Sequence, residues 1–215
     1  MARIVFDLDG TLIDSAPDIR AVANAVLANM DRPPITPAET RDFIGDGTDV
    51  FVQRLRASRG IGAEDHAPML DDFMRLYADA VTLTRPYPGV IAALTDLRAA
   101  GHKLGICTNK PMGPTRRVLD HLDLTRFFST VLGGDSLPLR KPDPAPLHAA
   151  FAALPEGPRI YVGDSDVDAE TGARAQVPFV LFTEGYRKSP VAALPHAAHF
   201  AHFDELGEIV ARLLA

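Results

Sequence analysis

The stretch that most constrains this chain is its beginning. Arg3-Ile4-Val5-Phe6 is a short run of β-branched and aromatic residues, the pattern of a buried strand. It runs straight into Asp7-Leu8-Asp9-Gly10-Thr11. Two carboxylates at the end of a buried strand are costly to hold in a dry site unless something pairs them. In a continued strand Asp7 and Asp9 would point the same way. Gly10 breaks the strand, so the loop can aim them differently. Paired carboxylates beside a glycine turn suit a hard divalent cation, which takes oxygen ligands and offsets their repulsion.

The chain has 215 residues, enough for one large domain or a core with an insertion. Its net charge is −6 and it has no basic block, which speaks against nucleic acid or an anionic membrane as partner. A small anion remains compatible, because a local cation or metal can bind it. The single cysteine, Cys107, excludes an internal disulfide and fits a reducing compartment. It sits in the apolar run Leu104-Gly105-Ile106-Cys107, where a thiol is expected to act as a small buried residue. Asp7 interrupts the first apolar run, so neither a signal peptide nor a membrane span is expected, and a cytoplasmic protein is.

From Pro17 to Val81 the pattern is helical throughout. Ile19, Val22, Ala23, Val26, Leu27 and Met30 recur at helical spacing. Thr36-Pro37-Ala38-Glu39 has a capping residue, a first-turn proline and a reciprocal glutamate. Met69, Phe73, Leu76, Tyr77 and Ala80 form one stripe over residues 63–80. After the break at Thr84-Arg85-Pro86-Tyr87-Pro88-Gly89, short apolar runs alternate with helical stretches. That alternation implies an α/β fold, a parallel sheet covered on both faces. The expected organisation is a core of residues 1–14 and 85–215 with an α-helical insertion over 15–84, and the two crossings side by side form a hinge.

In such sheets ligands bind at the carboxyl ends of the strands. The first strand is followed by Asp7 and Asp9, the second by Thr108-Asn109, and a later one by Gly163-Asp164-Ser165-Asp166-Val167-Asp168. Between the last two, Arg140-Lys141-Pro142-Asp143-Pro144 places a lysine in a proline-fixed loop. Each fragment alone reads as a turn or a helix cap. All four in order along one sheet read as a site.

These residues resemble the four motifs of the haloacid dehalogenase superfamily of phosphatases and phosphotransferases. Asp-x-Asp-Gly-Thr corresponds to Asp7 through Thr11, the strand-end Thr to Thr108, the Lys-Pro-x-Pro lysine to Lys141, and Gly-Asp-x-x-x-Asp to Gly163, Asp164 and Asp168. The resemblance implies a Rossmann-like core with an inserted helical cap. It implies Mg²⁺ held by Asp7, the main-chain carbonyl of Asp9 and Asp164, with Asp168 one step behind. Asp7 would be the nucleophile and Asp9 the acid and base. Thr108, the Asn109 backbone and Lys141 would hold the phosphoryl group, and Thr11 would stand on the substrate side. Asp166 falls between the matched acids as a cap or supporting residue.

Phe43-Ile44-Gly45-Asp46-Gly47, Val131-Leu132-Gly133-Gly134-Asp135 and Glu184-Gly185-Tyr186 are similar to bacterial phosphoglycolate phosphatases within that superfamily. The implied substrate is 2-phosphoglycolate. Gly45-Asp46-Gly47, just before a helix start, reads either as amides for a small carboxylate or as a plain helix–helix turn, and Arg54 on the following helix reads as a solvated arginine before a carboxylate partner. The alternatives are a phosphatase or mutase for another small phosphate such as a sugar phosphate, or a silent binding module. The expected partner is a small phosphorylated metabolite, and the protein itself a monomer or small homo-oligomer.

Overall fold

The computed structural model describes all 215 residues. The chain opens with β1 (Arg3–Phe6) and the two-residue β2 (Ile13–Asp14). Four helices follow: α1 (Ala16–Ala28), α2 (Pro37–Phe43), α3 (Thr48–Ser58) and α4 (His66–Tyr77). Then come β3 (Arg85–Pro86), α5 (Val90–Ala99), β4 (Lys103–Cys107), α6 (Met112–His121) and β5 (Thr130–Leu132). The chain continues through α7 (Ala145–Ala152), β6 (Arg159–Gly163), α8 (Asp166–Ala175), β7 (Phe179–Phe182), β8 (Ala198–Phe200) and α9 (Leu206–Leu214).

Six strands form one sheet in the order β5-β4-β1-β6-β7-β8, with every pairing parallel. The strands alternate side chains between two covered faces. Ile4 and Phe6 of β1 join Leu104, Ile106, Ile160 and Val162 beneath α5, α6 and α9. Val5 points the other way, with Cys107, Tyr161, Phe179 and Leu181, beneath α7 and α8. The near-continuous apolar runs seen in the sequence follow from this two-sided burial.

Helices α1–α4 bury a separate cluster that includes Val26, Leu27, Phe51, Val52, Leu55, Phe73 and Tyr77. The capping box at Thr36 and Glu39 forms as its sequence implies, the Glu39 carboxylate accepting from Thr36 N at 2.7 Å. The expected long helix over 63–80 is shorter. A 3₁₀ turn covers Ala63–Asp65, and regular helix ends at Tyr77.

The chain enters and leaves the helical block through β2 and β3. They pair antiparallel, Ile13 opposite Pro86 and Asp14 opposite Arg85. A two-residue strand carries no readable periodicity, so this ribbon was invisible in the sequence. It is clamped by Asp18 in the first turn of α1. One carboxylate oxygen of this buried residue accepts from Leu83 N at 3.0 Å, Thr84 N at 2.7 Å and Thr84 Oγ1 at 2.6 Å. No helix is long and apolar enough to cross a membrane.

Candidate active site

The sheet order places the loops after β1, β4, β5 and β6 beside one another, because those four strands are consecutive neighbours. Asp7 follows β1, Thr108 follows β4, and Asp164 follows β6. Lys141 comes from the long loop between β5 and α7 and is buried. Its ammonium lies 2.9 Å from Asp7 Oδ1 and 2.7 Å from Asp168 Oδ1. It also donates to the Tyr161 hydroxyl at 2.9 Å, and that hydroxyl donates to Asp168 Oδ1 at 2.5 Å. Asp168 Oδ2 accepts from Asp164 N, Ser165 N and Ser165 Oγ at 3.2, 3.1 and 2.6 Å. The Asp168 carboxylate is thus taken up by protein donors, which suits a residue that positions Lys141 and Asp164.

Carboxylate oxygens of Asp7, Asp164 and Asp168 lie within 4.8 Å of one another. Burial, against the lowering charge of Lys141, lifts Asp7 to about 7. Burial, with the charges of Asp168 and Asp7, raises Asp164 well above the carboxylate range. Burial also opposes ionisation of Asp168, but Lys141 and the hydrogen bonds it receives hold it below the usual range. Asp7 Oδ1 is buried and accepts no well-directed hydrogen bond, although Lys141 is near. An under-satisfied buried oxygen among clustered carboxylates is the donor chemistry of a hard divalent cation. The acids therefore fit such a cation.

Asp164 is tightly oriented. Thr11 Oγ1 donates to its Oδ1 at 2.6 Å, and Tyr186 N donates to its Oδ2 at 2.6 Å. Gly10 makes this possible. It has φ +88°, and a Cβ there would sit 2.5 Å from Asp164 Oδ2 and 2.7 Å from the Tyr186 ring. Asp9 turns away from the acid cluster. Its carboxylate accepts from Ser15 Oγ at 2.6 Å and pairs with Lys110 Nζ at 3.1 Å.

Asp7, Asp9, Thr108, Asn109, Gly45 and Gly47 all line one cavity of about 50 Å³, between the strand ends and the helical block. The Thr108 hydroxyl accepts from Lys110 N at 3.2 Å. The Asn109 side chain ties three segments together. Its Nδ2 donates to Lys141 O at 2.9 Å and Gly45 O at 3.1 Å, while its Oδ1 accepts from Lys141 N at 3.0 Å.

Other residues stand elsewhere than expected. Thr11 is fully buried behind Asp164 and faces no substrate space, because its hydroxyl is committed to that acid. The Asp46 carboxylate pairs with Arg54 at 2.6 Å, and neither side chain is part of the cavity wall. Asp166 does not cap α8. Ser165 does, with Asp168 completing the capping box, while Asp166 accepts from Lys188 N and from Ser189. Cys107, by contrast, is buried as its apolar run implies, and burial pushes its thiol up to about 12.

Lys110 was missed in the sequence. It is buried, it lines the cavity, and its ammonium bonds the Tyr77 hydroxyl of α4 as well as Asp9. Burial disfavours its charge, but Asp9 and Tyr77 outweigh that and raise it above the ordinary lysine range. The available signal was its place: the third residue of the polar run Thr108-Asn109-Lys110 that follows a buried strand.

Comparison with known proteins accords with this geometry. Residues 4–182 match the family described as haloacid dehalogenase-like hydrolase. A curated phosphoglycolate phosphatase of Cereibacter sphaeroides is 52% identical over 100% of both chains. One of Rhodobacter capsulatus is 44% identical, covering 96% of this chain and 95% of its own. The crystal structure of a predicted phosphoglycolate phosphatase from Haemophilus somnus 129pt superposes with TM-score 0.88 at 31% identity, covering 96% of each chain. The matched segment runs from the strand that delivers Asp7 to the end of β7, and the relatives match end to end, so the chain belongs to the haloacid dehalogenase-like hydrolase family.

Proposed function

We propose that the chain hydrolyses a small phosphate monoester, 2-phosphoglycolate, to glycolate and phosphate through an aspartyl-phosphate on Asp7. The observation that carries this reading is the convergence of Asp7, Asp9 and Thr108 on one cavity, with Lys141 and Asp164 packed behind Asp7. The full-length similarity to proteins named phosphoglycolate phosphatase supports the choice of substrate.

Phosphate monoester hydrolysis has one of the highest uncatalysed barriers, so the site must supply a large reduction. The Asp7 carboxylate attacks phosphorus and the bond to the leaving oxygen breaks, which divides the reaction into two easier halves. Asp9 gives its proton to the leaving alkoxide. It then removes a proton from the water that cleaves the acyl phosphate. Thr108 and the Asn109 N–H hold phosphoryl oxygens, and Lys141 sets a positive charge beside Asp7 and the transferring group. Ser15 fixes the direction of Asp9. Mg²⁺ would be held by Asp7, the Asp9 carbonyl and Asp164, and supplies charge neutralisation between carboxylate and phosphoryl oxygens when bound.

In this reading residues 15–84 act as a cap over the core of 1–14 and 85–215. Ile19, Ile44, Phe51 and Phe73 of the cap form the apolar side of the cavity and exclude water. Gly45 and Gly47 have φ +123° and +90°, so the loop before α3 can bring the amides of Gly45, Asp46 and Gly47 towards a carboxylate.

The test is phosphate release from a panel of phosphorylated metabolites. The reading expects 2-phosphoglycolate to give the highest kcat/KM. A wide preference for a sugar phosphate would overturn the substrate, and no release from any ester would overturn the phosphatase itself.

A further inference from the structure

The reaction needs a group that reads the leaving half of the substrate, and the cavity offers one charge for it. Among the side chains that line the cavity, Lys110 is the single cation. Arg54 is not available. Its guanidinium donates to Phe43 O at 3.0 Å and pairs with Asp46 at 2.6 Å, outside the cavity wall. Lys141 is committed to Asp7, Asp168 and Tyr161.

Lys110 is fixed at the cavity wall. Its ammonium has three N–H bonds. They face the Asp9 carboxylate, 3.1 Å from Oδ1 and 3.4 Å from Oδ2, and the Tyr77 hydroxyl.

Distance then selects the ligand. Asp9 acts at the leaving oxygen, and Lys110 Nζ is its immediate neighbour. A carboxylate joined to that oxygen through one methylene falls beside the ammonium.

Resting on the reading of the site as a phosphatase, we infer that Lys110 is the specificity-determining residue, binding the carboxylate of a two-carbon phosphorylated acid. Because it comes from the core loop after β4 and bonds Tyr77 of α4, it reads the leaving group and fastens the helical block over it in one contact.

The experiment compares kcat/KM for 2-phosphoglycolate and for 2-hydroxyethyl phosphate, which has the same length and a neutral end. Wild type is expected to favour phosphoglycolate. Lys110→Met should lower phosphoglycolate turnover at least about tenfold more than turnover of the neutral ester, mainly through KM, the size expected when a hydrogen bond to a charged group is lost. Lys110→Gln keeps a donor for Asp9 and Tyr77 and should show the same selective loss, which carries the comparison if the methionine variant does not fold. Equal loss on both esters would mean that Lys110 only positions Asp9, and would overturn the inference. So would an unchanged preference in a folded variant, or a wild type that does not discriminate. A wild type inactive on both esters would instead remove the phosphatase reading, and the inference with it.

Discussion

Tyr186 joins Asp164 to the junction of β2 and α1. Its backbone N–H donates to Asp164 Oδ2 at 2.6 Å, and its hydroxyl donates to Asp14 Oδ1 at 2.6 Å. The same hydroxyl accepts from Ser15 N at 2.9 Å and Ala16 N at 3.0 Å, where α1 begins. One residue thus holds a proposed metal ligand and the start of the helical block. Tyr186→Phe leaves these buried groups short of a partner. It should cost about 1–3 kcal/mol of stability, read by urea denaturation. A change within about 0.5 kcal/mol, the range of an ordinary surface substitution, would contradict the tie.

Gly10 tests how closely Asp164 must be placed. Gly10→Ala forces a side chain into φ +88° and drives its methyl to 2.5 Å from Asp164 Oδ2. The backbone term alone is about 1–2 kcal/mol. The displaced acid should lower kcat by about tenfold or more, since small misplacements near the reacting atoms are expensive. Far-UV circular dichroism should change little. Wild-type kcat in this variant would mean that Asp164 tolerates displacement.

Asp18 clamps the return of the chain from the helices, accepting from two backbone N–H groups and one hydroxyl through a single oxygen. Asp18→Ala abandons all three donors, the two of Thr84 in a buried position. The expected loss is about 3 kcal/mol or more, seen as a lower midpoint in urea. A loss of less than about 1 kcal/mol would show the ribbon to be held by other contacts.

How much of this was legible before the structure depends on sequence distance. The strand ends were legible because two-sided burial makes β1, β4 and β6 read as apolar runs, and the residue after each run is then placed by topology. Asp7, Thr108 and Asp164 come together for that reason. The direction of a side chain in a loop was not legible. What turns Thr11 away from substrate space is a partner 153 residues away, and what keeps Asp166 from capping α8 is Lys188 with Ser189. Lys110 was overlooked for the same reason: its partners Asp9 and Tyr77 lie 101 and 33 residues away. Tyr186 carried a family likeness in the sequence, but nothing local revealed where its hydroxyl goes.

The buried acids make a prediction about metal. Exhaustive chelation should abolish phosphate release, and Mg²⁺ should restore it. Ca²⁺ should bind and support little turnover, because its looser coordination misplaces nucleophile and phosphorus. Mg²⁺ should also raise the melting temperature of wild type, since binding to the folded state alone stabilises it. Asp164→Ala should weaken that effect more than Asp168→Ala, whose carboxylate is already occupied by Lys141, Tyr161 and Ser165. Full activity in chelated enzyme would contradict a role for the cation.

In the proposed reaction Asp7 forms a covalent bond to phosphorus. The most direct measurement is rapid acid quenching of the enzyme with ³²P-labelled 2-phosphoglycolate, followed by digestion and mapping of the labelled peptide. A burst of protein-bound label is expected within the first turnover, lost on treatment with hydroxylamine as an acyl phosphate is, and located at Asp7. Asp7→Asn, which keeps the shape and removes the attacking charge, should fold, bind no label and release no phosphate. Wild-type turnover with no protein-bound label at any quench time, together with near-normal activity in folded Asp7→Asn, would contradict it.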